Sequence, residues 1–201
     1  MAQMGRPRTF DRQAALVQAM HLFWEHGYEA TSLSQLKAGI AGGISAPSFY
    51  AAFGSKEALY NEVMALYMET HGRVTESLFD TELPAREALE LALRRSARMQ
   101  CEVGHPRGCM VALGVIGVCT PPQGLTLPGE NRQRTREGIR ACIERAIAAG
   151  ELVGDTDVAA LTAAFDSFLL GLSTLARDGI EHAAMDAAVT QVMKLWDGCR
   201  A

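Results

Sequence analysis

Between residues 31 and 58 the chain runs TSLSQLKAGIAGGISAPSFYAAFGSKEA, and no other stretch restricts the fold so tightly. Ser32 and Gln35 have the spacing of a capping box, in which two side chains satisfy backbone donors at a helix start. Leu33, Leu36 and Ile40 fall on one helical face. Gly42 and Gly43 end that helix, because glycine enters a left-handed turn without a Cβ penalty. Ser45 caps a second short helix reaching about Ala52, with Pro47 in its first turn, where a missing N–H is harmless. Phe49 and Phe53 sit four apart and point inward, while Ser48 and Tyr50 flank that face and point outward. Ser55 then caps a further helix. Two short helices about a glycine turn, the second polar on its outer face, make the unit that lays its second helix in a DNA major groove.

The rest of the chain repeats the helical period. Asp11 caps a helix to His26, with Leu16, Ala19, Met20 and Phe23 inward and Gly27 as its stop. Leu59, Val63, Leu66 and Tyr67 predict a long helix from Ser55 to about Phe79. Further helices are predicted over 85–103, 131–149, 157–177 and 185–196, with a proline-rich loop over 120–129. The apolar run from Cys109 to Cys119 predicts a buried segment, and no strand pattern exists to pair with it. The expected fold class is all-α, with about nine helices.

Composition excludes several functions. The net charge is −4, but residues 1–60 carry +1 and the remainder −5. Arg6 and Arg8 precede any regular period and form a basic arm suited to phosphate or minor-groove contact. The first 20 residues lack an apolar signal core, and the run from Cys109 to Cys119 is too short to span a bilayer. A cytoplasmic protein with no membrane partner is expected, its five cysteines reduced. No nucleophile elbow, phosphate loop, dinucleotide fingerprint or zinc-protease motif is present, so no enzyme is expected. A helical thiol enzyme using Cys109 and His105 is the alternative. Cys101, His105 and Cys109 have a spacing open to a metal, but Pro106 and Gly108 break their alignment and no fourth ligand is near. No metal and no cofactor are expected. Arg107 would favour a thiolate on Cys109, which keeps a redox- or metal-responsive regulator as an alternative reading, with buried cysteine as the plain one.

On Asp11–Tyr28, Thr31–Leu36 and SAPSFYAAFGSKEAL (Ser45–Leu59), the chain resembles the tetracycline-repressor-like (TetR) family of transcriptional regulators. A weaker echo lies in Gly150–Glu151–Leu152, Asp155, Asp157 and Gly171–Leu172. The resemblance implies a helix-turn-helix head over residues 1–68 and a ligand-binding, dimerising body over 69–201. It implies a homodimer on a palindromic operator in double-stranded DNA, with a repressor released by a small-molecule effector. Tyr50 and Lys56 match family positions that hold the phosphate backbone. Thr31 and Ser32, at a helix N-terminus, suit both capping and phosphate. Ser45, Ala46, Pro47 and Ser48 open the recognition helix and would meet bases, although no Arg, Asn or Gln offers bidentate readout there. Selectivity would then fall to Arg6 or Arg8, Lys37, water and DNA shape.

In the body, the family's pocket would be lined by Met99, Val103, Met110, Leu113, Phe165, Phe168 and Leu169. The last two helices would pair across the dimer through Leu161, Leu172, Leu175, Val189, Val192, Met193 and Trp196. One departure from the family stands out: the run Lys37–Gly43 is lengthened, so either the second helix or the turn must be longer.

Overall fold

Side-chain caps start the helices of the N-terminal third where the sequence places aspartate and serine. Asp11 accepts from the Ala14 amide at 3.0 Å, and Ser55 accepts from Ala58 at 3.0 Å. The computed structural model describes residues 11–114 and 127–201. The head consists of α1 (Arg12–Ala30), α2 (Leu33–Gly39), α3 (Ala46–Phe53) and α4 (Lys56–Glu69). A 3-10 helix (His71–Phe79) leads into the body: α5 (Ala85–Met99), α6 (Met110–Leu113), α7 (Leu127–Ala148), α8 (Val158–Arg177) and α9 (His182–Asp197). Among the described residues the fold is all-α, and extended pairing is limited to an isolated bridge between Leu152 and Arg200.

Several boundaries differ from the periodicity. The helix from Ser55 does not run to Phe79, because Thr70 leaves helical geometry and its hydroxyl donates to the Leu66 carbonyl at 2.7 Å. The chain continues from there as a 3-10 helix. α5 stops at Met99 rather than at residue 103: Gly108 donates to the Gln100 carbonyl at 3.1 Å and closes a loop through Gly104 (φ 104) and Pro106. α7 starts earlier than residue 131, with Pro128 in its first turn, where proline is tolerated. Of the apolar run, Met110–Leu113 is helical, and Gly114 ends it; Cys119 lies outside the described residues.

Two cores form. The head core gathers Phe23, Trp24, Leu36, Ile40, Phe49, Phe53, Leu59 and Tyr67, and it also takes Met99, Met110 and Val111 from the body. The body core gathers Leu89, Leu93, Ile143, Phe165, Leu172, Val189 and Trp196. Each such side chain contributes about 1.5–3 kcal/mol on burial.

The head meets the body at Trp24. Its ring stacks on His105 at 4.4 Å and meets Tyr67 edge-on at 4.9 Å, and its Nε1 donates to the Gly108 carbonyl at 3.1 Å. Arg177 at the end of α8 donates to the Trp24 carbonyl and, at 3.2 Å, to that of Glu25. Ion pairs tie α5 to α9: Arg86 binds Asp197 at 2.8 Å, and Arg94 binds Asp186 at 2.8 Å and, within α5, Glu90 at 2.6 Å.

Candidate nucleic-acid interface and body cavity

The turn before α3 absorbs the extra residues. α2 ends at Gly39, and Ala41 (φ 52), Gly42 (φ 71) and Gly43 (φ 99) follow in left-handed geometry. Left-handed backbone costs a non-glycine residue about 1–2 kcal/mol. Ala41 is held there because Gln18 accepts from its amide at 2.7 Å and the neighbouring Ile40 side chain is fully buried. Ile44 then donates to the Lys37 carbonyl at 2.8 Å, so the longer turn is pinned at both ends.

α3 docks on the head through Phe49 and Phe53, which are buried. That fixes its roll and leaves Ser45, Pro47, Ser48 and Tyr50 exposed, with Ala46 half-buried. Ser45 Oγ accepts from the Ser48 amide at 3.3 Å and lies 2.9 Å from the Ser48 hydroxyl. Tyr50 is 50% exposed, its ring edge-on to Phe49 at 5.6 Å.

Gly54, left-handed at φ 73, donates to the Tyr50 carbonyl at 2.9 Å and turns the chain into α4. The Lys56 ammonium lies 4.2 Å from the centroid of the Tyr28 ring, a cation–π placement that fixes it beside the end of α3. Burial lowers its pKa, against the attraction of Glu29. Lys37 is half-buried in the last turn of α2.

Thr31 departs from expectation. It is fully buried, and its hydroxyl donates to the Gly27 carbonyl at 2.6 Å. Gly27 is left-handed (φ 79) and interrupts α1, so its carbonyl needs that partner; the Thr31 side chain is therefore unavailable to phosphate. Ser32 is exposed, and both bonds of the capping box form, at 2.7 and 3.2 Å with Gln35. Helix geometry still leaves the Leu33 and Ser34 amides without intrahelical partners. Arg6 and Arg8 lie outside the described residues.

Two supporting residues went unassigned in the sequence reading. Arg12 donates to the Ala52 carbonyl at 3.2 Å, binds both Glu62 oxygens at 2.7 Å and covers the Phe53 ring at 5.1 Å. Gln18 holds the turn. Their partners are tens of residues away, so no local pattern marks either one.

A cavity of about 60 Å³ lies where the end of α4 and the 3-10 helix meet α5, α6, α7 and α8. Tyr67, Met68, Gln100, Cys109, Arg132, Leu169 and Ser173 are among its walls. Of the residues expected to line a pocket, only Leu169 does so. Met99 and Met110 are spent in the head core, Phe165 in the body core, and Phe168 packs against the latter. Leu113 is half-buried outside the wall, and Val103, beyond the end of α5, is 97% exposed. Ser96 of α5 and Gln100 just past its end line this cavity, as do Asp166, Leu169 and Ser173 of α8, a different helical phase from the residues expected.

Tyr67 donates to Cys109 Sγ at 3.2 Å, and burial pushes its hydroxyl well above its ordinary pKa. Arg132 donates to the Val111 carbonyl at 3.0 Å, and Asp166 pairs with Arg136 at 2.8 Å. Burial lowers the Arg132 pKa. The cysteines whose spacing is open to a metal face different elements: Cys101 meets Met185 at 3.5 Å, whereas Cys109 meets Tyr67. Among the described residues no three His, Cys, Asp or Glu side chains gather as a metal would need.

The pairing residues are corrected likewise. Leu161, Leu172, Val189, Met193 and Trp196 are buried inside the protomer, and Val192 packs half-buried against the same core. Only Leu175, 39% exposed, is open among those expected at the interface. The inner stripe of an amphipathic helix is consumed by its own core. The outer face of α8 instead presents Ala163, Ser167 and Gly171, and that of α9 presents Leu195.

The family model described as bacterial regulatory proteins, tetR family, matches residues 15–63, from within α1 to within α4. The HTH-type transcriptional repressor ComR of Escherichia coli (strain K12) is 34% identical over 199 residues, covering 96% of this chain and 91% of ComR. The HTH-type transcriptional repressor BdcR of the same organism is 35% identical over 111 residues, 55% of each chain. Among solved structures, a cysteine-substituted variant of the TetR family regulator CifR, complexed with 26 bp operator DNA, superposes with a TM-score of 0.81. It is 36% identical and covers 94% of this chain and 98% of its own. With a third of its residues shared along nearly the full length of a named repressor, and a helix-turn-helix whose recognition face is open, the chain belongs to the TetR family and is a DNA-binding transcriptional regulator.

Proposed function

We propose that this regulator is a homodimeric repressor that places α3 of each copy in successive major grooves of a palindromic operator and leaves the DNA when a small molecule fills the body cavity. The observation that carries the DNA-binding half is the roll of α3: Phe49 and Phe53 are buried, so Ser45, Pro47, Ser48 and Tyr50 turn outward together. In this reading Ser45, Ala46, Pro47 and Ser48 meet base edges, and Tyr50, Lys56 and Lys37 meet phosphates. The free first-turn amides of α2, beside Ser32, add a phosphate contact. Neither serine hydroxyl is locked, because each can exchange the other for a base or water at little cost.

Dimerisation is supported by α8. A window of this helix has a mean hydropathy of 1.6, yet only 33% of it is buried within the protomer. Ala163, Ser167 and Gly171 recur at four-residue spacing on its open side, and a Cβ built on Gly171 would meet nothing within 4 Å. Small residues in such a row let a second helix approach closely. An effector acts on this assembly through spacing. Recognition helices fit one helical turn apart, about 34–36 Å, and a ligand that prefers another separation weakens binding by its differential affinity, about 1–3 kcal/mol.

Selection of bound fragments from random DNA tests the reading. A palindromic site is expected, bound with an affinity that falls steeply with salt. Tyr50→Ala should weaken all sequences alike, whereas Ser48→Ala should change the preferred site. The opposite pattern would exchange the phosphate and base roles, and a protein that selects no site would sink the proposal.

A further inference from the structure

We infer that the body cavity selects a small molecule carrying a hydroxyl on an apolar frame. This rests on the reading of the cavity as the effector site and names the chemistry it accepts. Gln100 is 1% exposed and Ser173 is 0% exposed, and both line the cavity. Gln100 spends its amide nitrogen on Ser96 Oγ at 2.7 Å. Its Oε1, and the Ser173 hydroxyl, have no hydrogen-bond partner among the described residues. A buried polar atom without a partner carries a desolvation penalty that a matching ligand group removes. Rotating the Gln100 amide would only exchange an open acceptor for an open donor. A hydroxyl, which donates and accepts at once, suits either orientation and suits Ser173 as well.

Three other polar side chains of the wall have partners. The Tyr67 hydroxyl is on Cys109, Arg132 is on the Val111 carbonyl, and Asp166 is on Arg136. Asp166 has its counter-charge in Arg136, and the Arg132 guanidinium, which spends one N–H on a neutral carbonyl, can donate another to a ligand oxygen. Met68, Val111, Leu169 and Leu170 supply the apolar remainder. The cavity, about 60 Å³, exceeds what a single water needs, so it has room for a small organic molecule.

The test compares two isomers, 1-butanol and diethyl ether, by calorimetric titration of the full chain without DNA. Saturable 1-butanol binding is expected, with the ether weaker by about tenfold for the lost donor. Ser173→Ala, and separately Gln100→Met, should narrow the difference between alcohol and ether. The isomer ratio on the unaltered chain decides the matter even if a variant fails to fold. An ether that binds as well as the alcohol, or no saturable binding by either, overturns the inference. A band-shift assay with the selected operator separates the two readings. Butanol that binds without releasing DNA leaves the ligand class standing and removes the effector role. DNA released by another compound, with butanol unbound, removes the ligand class and leaves the effector role.

Discussion

The head and the body keep their polar groups in opposite ways. On the head, several side chains proposed to meet DNA are turned to the outside and are held by neighbours within a few residues: Ser45 by Ser48, Ser32 by Gln35, and Tyr50 by the ring of Phe49. In the body, Gln100 and Ser173 are enclosed, come from helices far apart in sequence, and keep an atom open among the described residues. A surface that must fit a rigid duplex gains from being set before the encounter. A cavity with open valences is completed only by what enters it. The two regions touch at Trp24, Tyr67 and Gly108, so a change in the cavity wall has a direct route to α1 and α4.

That contrast can be broken most severely at the joint. Trp24→Ala should cost about 3–5 kcal/mol in urea unfolding, the range for large aromatic truncations. A loss below about 1 kcal/mol would mean the two cores are independent. A pair of glycines sharpens the contrast next. A Cβ on Gly108, at φ +86, would lie 2.7 Å from Leu113 Cδ1 and 3.0 Å from the Ser173 carbonyl oxygen. Gly54, at φ +73, has nothing within 4 Å. Gly108→Ala should therefore cost about 2–4 kcal/mol, strain and overpacking together, against about 1–2 kcal/mol for Gly54→Ala. Equal losses would show that the close approach in the body carries no weight.

Smaller again is Lys56→Ala. It should leave stability within about 1 kcal/mol, the scale of an exposed cation–π contact, while lowering the salt slope of DNA binding by about one. An unchanged slope would remove Lys56 from the phosphate contacts.

The least effect is expected from pH. Burial first, then His105 and His21, lower the His71 pKa, against Glu102; burial and then His105 lower that of His21. Below about pH 6.5, the ordinary histidine value, the unfolded chain binds protons that the folded one refuses. Stability is therefore full above that pH and declines as pH falls through it. His71→Asn should flatten the decline in a thermal melt; a melt equally steep in the variant would place the titration elsewhere.

The head was largely legible because its signals are local. Caps at Asp11, Ser32, Ser45 and Ser55, and the break at Gly27, act on backbone groups within about one turn of themselves. Thr31 was misread because its partner, the Gly27 carbonyl, becomes needy only through the break at Gly27. Arg12 and Gln18 were silent because their partners lie in other helices. In the body, the helical period located α8 and α9 but not which of their faces stays open. Leu172, Val189 and Trp196 are buried at home and leave Ala163, Ser167 and Gly171 outside.

By itself, then, the order of residues determined the helical class, the helix-turn-helix, the inward roll of α3 and the resemblance to DNA-binding regulators, since each follows from propensity and spacing along one stretch. Only the tertiary structure decided how the longer turn is held, which residues wall the cavity, and that Gln100 and Ser173 on that wall each keep a buried polar atom without a partner among the described residues. Those depend on the phase of one helix against another, and a step of one residue turns a side chain by about 100° without altering the helical pattern.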